Sequence, residues 1–84
     1  MSRRPRGKST VAKRTVIVGT HKTSVSMESE FWFALKEIAA QEGVAIAALV
    51  TRIDADRQHA NLSSAIRLYV LDYYVRLAKK KAKR

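Results

Sequence analysis

Near the end of this chain runs the segment AIRLYVLDYYVRLA, residues 65–78, interrupted by charge only at Arg67, Asp72 and Arg76. Spacings of three and four place Ile66, Tyr69, Val70, Tyr73 and Leu77 on one side of a helix. Leu68, Leu71 and Val75 fall on other sides. A helix that is apolar nearly all round has to be buried nearly all round. The chain has 84 residues, enough for one small domain, and folding at that size removes only about 60% of the unfolded surface from water. Without cysteine, neither a disulfide framework nor a thiolate metal site stiffens it. His21 and His59 lack ligand-like spacing, so no metal or other cofactor is expected. A second copy of the chain is the expected cover, making the protein a homodimer.

Ahead of the helices lies a strand. In HKTSVSM, residues 21–27, Thr23, Val25 and Met27 alternate with Lys22, Ser24 and Ser26, the period of a strand with one buried and one polar face. The β-branched run at 16–18, ended by Gly19, leaves a surface hairpin with 23–27 as an alternative. The favoured reading is a single strand. A lone strand has unpaired edges, and pairing with the same strand of a second copy satisfies them.

Three helical segments follow. Phe31, Ala34, Leu35, Ile38 and Ala39 recur at helical spacing between 29 and 42, and Gly43 is a natural stop. Ser26, Glu28 or Ser29 is expected to cap that helix. Trp32 and Phe33 lie off its stripe, which implies a second surface to cover. Residues 44–57 give Ile46, Leu49, Val50 and Ile53 one face of a short helix. After a polar break at 58–61, Ser63 is expected to cap the long apolar helix, with Leu62 as half of a hydrophobic staple.

The net charge of +10 is unevenly spread: residues 1–27 contain no acid, 28–78 are nearly balanced, and 79–84 are KKKAKR. Residues 1–14, basic and punctuated by Pro5 and Gly7, read as a disordered arm. The domain is then 15–78, with 79–84 a basic tail. Charge at both ends points to a polyanion, nucleic acid ahead of an anionic membrane. A membrane is disfavoured because no basic amphipathic helix is visible. With no apolar segment after the basic start, a cytoplasmic location is expected.

The residues themselves resemble a known family. KTSVSMESEFW at 22–32 and LSSAIR at 62–67 are similar to the strand and second-helix start of ribbon-helix-helix DNA-binding proteins. The strings HKTSVSMESEFWFALKEIAA and DRQHANLSSAIRLYVLDYY resemble an alphaproteobacterial-type subfamily of them. The implied fold is mainly α with one β-strand, in the order β-α-α-α, and a homodimer with an intersubunit antiparallel β-ribbon. Either 44–57 or 63–78 is the family's second helix; the capping serine and apolar girth favour 63–78, with 44–57 an insertion. The resemblance also implies a bacterial, cytoplasmic transcription regulator whose ribbon enters the major groove of double-stranded DNA. Lys22, Ser24 and Ser26 are the expected base contacts. Arg3, Arg4, Arg6, Lys13, Arg14, Thr20, His21, Ser63 and Ser64 are the expected phosphate contacts.

Nothing in the sequence carries catalysis: there is no cysteine, no glycine-rich phosphate loop and no Ser/His/Asp spacing in a nucleophile context, so an enzyme is not expected. Arg52, Asp54, Asp56, Arg57, His59, Asn61 and Arg67 form the densest polar cluster; they read first as helix caps and ion pairs, with Arg52, Asp54, Arg57, His59, Asn61 and Arg67 also a candidate site for a small zwitterionic effector. The alternative function is a dimeric effector-sensing or protein-interaction module with the same fold and weak DNA binding.

Overall fold

In the computed structural model, which describes residues 10–57 and 61–82, the alternating segment is one half of a hairpin. β1 (Val11–Val18) and β2 (His21–Glu28) run antiparallel, from Val18 opposite His21 to Val11 opposite Glu28. Two residues join them. Gly19 takes φ +63° while Thr20 stays at negative φ, the pattern of a II′ turn, whose twist matches that of the strands it connects.

The single-strand expectation is therefore overturned. The order is β-β-α-α-α, and β2 has β1 of the same chain beside it. The strand also starts earlier than expected: residues 11–14, assigned to the arm, are ribbon. Residues 1–9 of that arm lie outside the described residues.

Helix α1 (Ser29–Glu42) begins directly after β2. None of the expected side chains caps it. Instead the Ser29 N–H donates to Thr10 O at 3.0 Å and its hydroxyl to the same oxygen at 3.2 Å, tying the helix start to the chain entering β1. Gly43 ends the helix in the left-handed region at φ 69°. There Gly43 N–H reaches Ala40 O and Val44 N–H reaches Ala39 O, the two bonds of a Schellman stop.

Helix α2 (Ile46–Asp56) follows after three residues. Helix α3 (Leu62–Ala82) is longer than α1 and α2. Its cap is Asn61, whose Oδ1 accepts the Ser64 N–H at 2.8 Å; Ser63 lies two residues further in. The helix continues past 78 through Lys79, Lys80 and Lys81, residues expected in a frayed tail.

The core forms where the inner face of the hairpin meets the three helices. Val16, Val25 and Met27 from the sheet pack with Leu35 and Ile38 of α1, Leu49, Val50 and Ile53 of α2, and Ile66 and Val70 of α3. Each such side chain contributes about 1.5–3 kcal/mol when fully withdrawn from water. α3 is covered on that side only. Leu68 and Leu71 are 60% and 56% exposed, and Val75 and Phe33 are exposed as well.

Candidate nucleic-acid interface

Opposed residues of an antiparallel pair share a face, so the register divides the hairpin into two surfaces. Val16, Val25 and Met27 are buried against the helices. On the other surface Lys13 faces Ser26, Thr15 faces Ser24 and Ile17 faces Lys22, and all six are exposed. The hydrogen-bond phase adds detail. Ser29 N–H bonds Thr10 O, so that pair belongs to the bonded set, and alternation makes 13/26, 15/24 and 17/22 non-bonded pairs. In such pairs the Cα atoms approach to about 4.5 Å and the side chains stand close together. The three expected base contacts, Lys22, Ser24 and Ser26, thus sit in one row beside Lys13, Thr15 and Ile17. Neither Thr15 nor Ile17 was anticipated there.

Both ends of this surface are anchored. At the turn, the Gly19 N–H donates to Thr51 Oγ1 of α2 at 3.1 Å. At the open end, Arg67 Nε of α3 donates to Glu28 Oε1 at 2.8 Å and Arg67 Nη2 to Ser26 O at 3.4 Å, with the guanidinium 6.0 Å from the centre of the Phe31 ring. The bond from Arg67 holds the Glu28 carboxyl below the usual carboxylate range, its own backbone N–H acting in the same direction. The only acid on the outer surface among the described residues is therefore ion-paired, leaving Lys13 and Lys22 as its net charge.

The expected phosphate contacts separate. Lys13 shares the outer surface, and Thr20 and His21 are exposed at the turn. Arg14 belongs to the inner surface: its guanidinium lies 5.5 Å from the Trp32 ring centre and bonds Ser29 Oγ at 3.3 Å. Ser63 and Ser64 are half-buried in the first turn of α3, where Asn61 already takes the Ser64 N–H. Arg3, Arg4 and Arg6 lie outside the described residues.

The described residues of the expected effector cluster stand in ion pairs and a helix cap. Arg52 pairs with Glu42 at 2.9 Å, Arg57 with Asp54 at 2.7 Å and Arg67 with Glu28, while Asn61 caps α3. His59 is outside the described residues. A separate open groove of about 950 Å³ lies between Glu42 and the C-terminal half of α3, lined by Tyr69, Asp72, Arg76 and Lys80 among others. Burial pushes the Tyr69 hydroxyl up from its ordinary pKa. Among the described residues no group of three acids or histidines is placed to hold a metal ion, and no helix is long and apolar enough to cross a membrane.

A family model described as a ribbon-helix-helix domain matches residues 11–74, from the first residue of β1 into α3. The chain belongs to the ribbon-helix-helix family. At the level of the family, the ribbon-helix-helix domain goes with DNA binding and transcription regulation rather than catalysis. Among solved structures, an uncharacterized protein from Bordetella pertussis Tohama I is similar over 86% of this chain, with a TM-score of 0.72 and 31% identity. This chain spans 62% of that protein's length. No curated protein matches it.

Proposed function

We propose that this protein is a sequence-specific DNA-binding transcription regulator that places its own hairpin in the major groove. The observation that carries this reading is the outer surface of the hairpin, where Lys13, Thr15, Lys22, Ser24 and Ser26 stand exposed in one patch with their backbone fixed at both ends. B-DNA's major groove, about 12 Å wide, admits a two-stranded ribbon. Strands lie about 4.8 Å apart, so one chain supplies a ribbon of that width. Joining two chains through their β2 edges makes four strands spanning about 14 Å between outer axes, wider than the groove.

Lys22 is the principal reader, because a lysine donates to guanine O6 and N7. Ser24 and Ser26 add neutral hydrogen bonds of lower discrimination. The protein works as a homodimer whose second copy covers the exposed Leu68, Leu71 and Val75 row of α3. Two hairpins held this way address two half-sites, so the preferred DNA is a two-fold repeat. Lys13, Thr20, His21 and the basic residues of 1–9 supply phosphate contacts.

Competition binding at fixed salt against a duplex selected from random sequence tests this. Lys22→Ala is expected to lower affinity for the selected site about tenfold or more, since a good base contact is worth about 1–3 kcal/mol, with thermal stability unchanged. A Lys22→Ala protein as tight and as selective as wild type removes the ribbon as reader. An effector-sensing module then becomes the better reading.

A further inference from the structure

We propose that β1 is a second reading strand and that Ile17 packs on a thymine methyl group beside the base pair contacted by Lys22. This rests on the reading of the hairpin as a major-groove ribbon and names part of what that ribbon recognises. Ile17 is 42% exposed, directly opposite Lys22 and on the same face as Lys13, Thr15, Ser24 and Ser26. It cannot retreat into the core. Val16 on one side and Val18 on the other face the helices, and a one-residue slip of the strand would carry Arg14, with its Trp32 contact, out of its place along with them.

The chemistry of the groove suits this pair. The C5-methyl of thymine is the apolar feature of the major-groove edges, and guanine O6 and N7 are the acceptors that a lysine reads. Facing residues of a non-bonded pair are about 4.5 Å apart at Cα, close to the spacing of about 3.4 Å between successive bases. Ile17 and Lys22 of one hairpin therefore address neighbouring base pairs, one through a methyl contact and the other through charge-assisted hydrogen bonds. Thr15, facing Ser24, extends the same double row with a methyl and a hydroxyl.

Uracil lacks only the thymine methyl, so replacing thymines one at a time in the selected duplex isolates that interaction. Wild type is expected to lose about fourfold in affinity at one thymine per half-site, the worth of burying a single methyl group. That thymine should adjoin the position whose substitution Lys22→Ala no longer senses. Ile17→Ala and Ile17→Ser should bind the thymine and uracil duplexes equally, while melting within a few degrees of wild type. If those variants lose as much as wild type on uracil substitution, or if no thymine matters, Ile17 is not a reader and the inference fails even where Lys22→Ala weakens binding. If Lys22→Ala also changes nothing, the ribbon reading itself has failed and takes this inference with it. If Ile17→Ala weakens all duplexes alike and lowers the oligomeric state, the residue is a contact between copies and the inference is again overturned.

Discussion

Arg67 and Glu28 meet at 2.8 Å although 39 positions separate them in the chain, so the first turns of α3 hold the end of β2 where it enters α1. With its folded pKa lowered by Arg67, Glu28 stabilises the fold above the ordinary carboxylate range. That contribution is lost as pH falls through the folded value. Thermal melts of wild type should therefore drop more steeply between about pH 6 and pH 3 than those of Glu28→Gln. Parallel acid limbs in the two proteins would show that the pair carries no pH dependence.

The two sides of α3 should respond differently to a charge. Val70 is 4% exposed, and Val70→Asp buries an unpaired carboxylate at a cost of about 3–5 kcal/mol, enough to unfold a domain of this size. Leu71 lies on the uncovered side, so Leu71→Asp should leave circular dichroism intact and yield a 9.5 kDa monomer. Sedimentation of Leu71→Asp as a dimer would place the second copy elsewhere.

Gly19 has φ +63° with nothing within 4 Å of where a Cβ would stand, so Gly19→Ala meets only backbone strain. The expected cost is about 1–2 kcal/mol, a fall in Tm of roughly 4–15 °C for a chain of this length. The loss should appear as faster amide exchange at the turn end of the hairpin. An unchanged Tm would mean that the turn does not need its present conformation.

Deleting residues 1–9 removes Arg3, Arg4, Arg6 and Lys8 from each chain. Affinity should fall by a similar factor for every duplex, and the slope of log K against log salt should flatten by about 0.9 for each phosphate that is no longer neutralised. A changed sequence preference would show instead that these residues read bases.

How much of this was legible in the sequence depends on where each polar side chain goes. Thr23, Val25 and Met27 announced β2 because every second residue is apolar, and the stripe of α1 and its stop at Gly43 were equally plain. β1 was hidden by Lys13 and Arg14. Adjacent cations read as a solvated arm, yet the Arg14 guanidinium stacks on Trp32 and lets the residue occupy an inward position. Counting Arg14 as inward restores the alternation of Ala12, Arg14, Val16 and Val18. The two-residue Gly19–Thr20 loop between β-branched runs was the available hairpin signal.

The candidate site was half visible for the same reason. Lys22, Ser24 and Ser26 followed from the period of β2, while Thr15 and Ile17 depended on a register that only the paired strand supplies. In the polar cluster at 52–67 the ion pairs and the Asn61 cap were foreseeable by type, but the pairing of Arg67 with Glu28 of β2 was not, because 39 positions separate them.

A hairpin closed by two residues forms in about 1–10 μs without meeting another molecule. A ribbon made from two chains exists only where their concentration exceeds the dissociation constant. Here both strands belong to one polypeptide, so dilution does not dismantle the hairpin. On the proposed reading, each copy carries its own half of the recognition surface before it meets a partner.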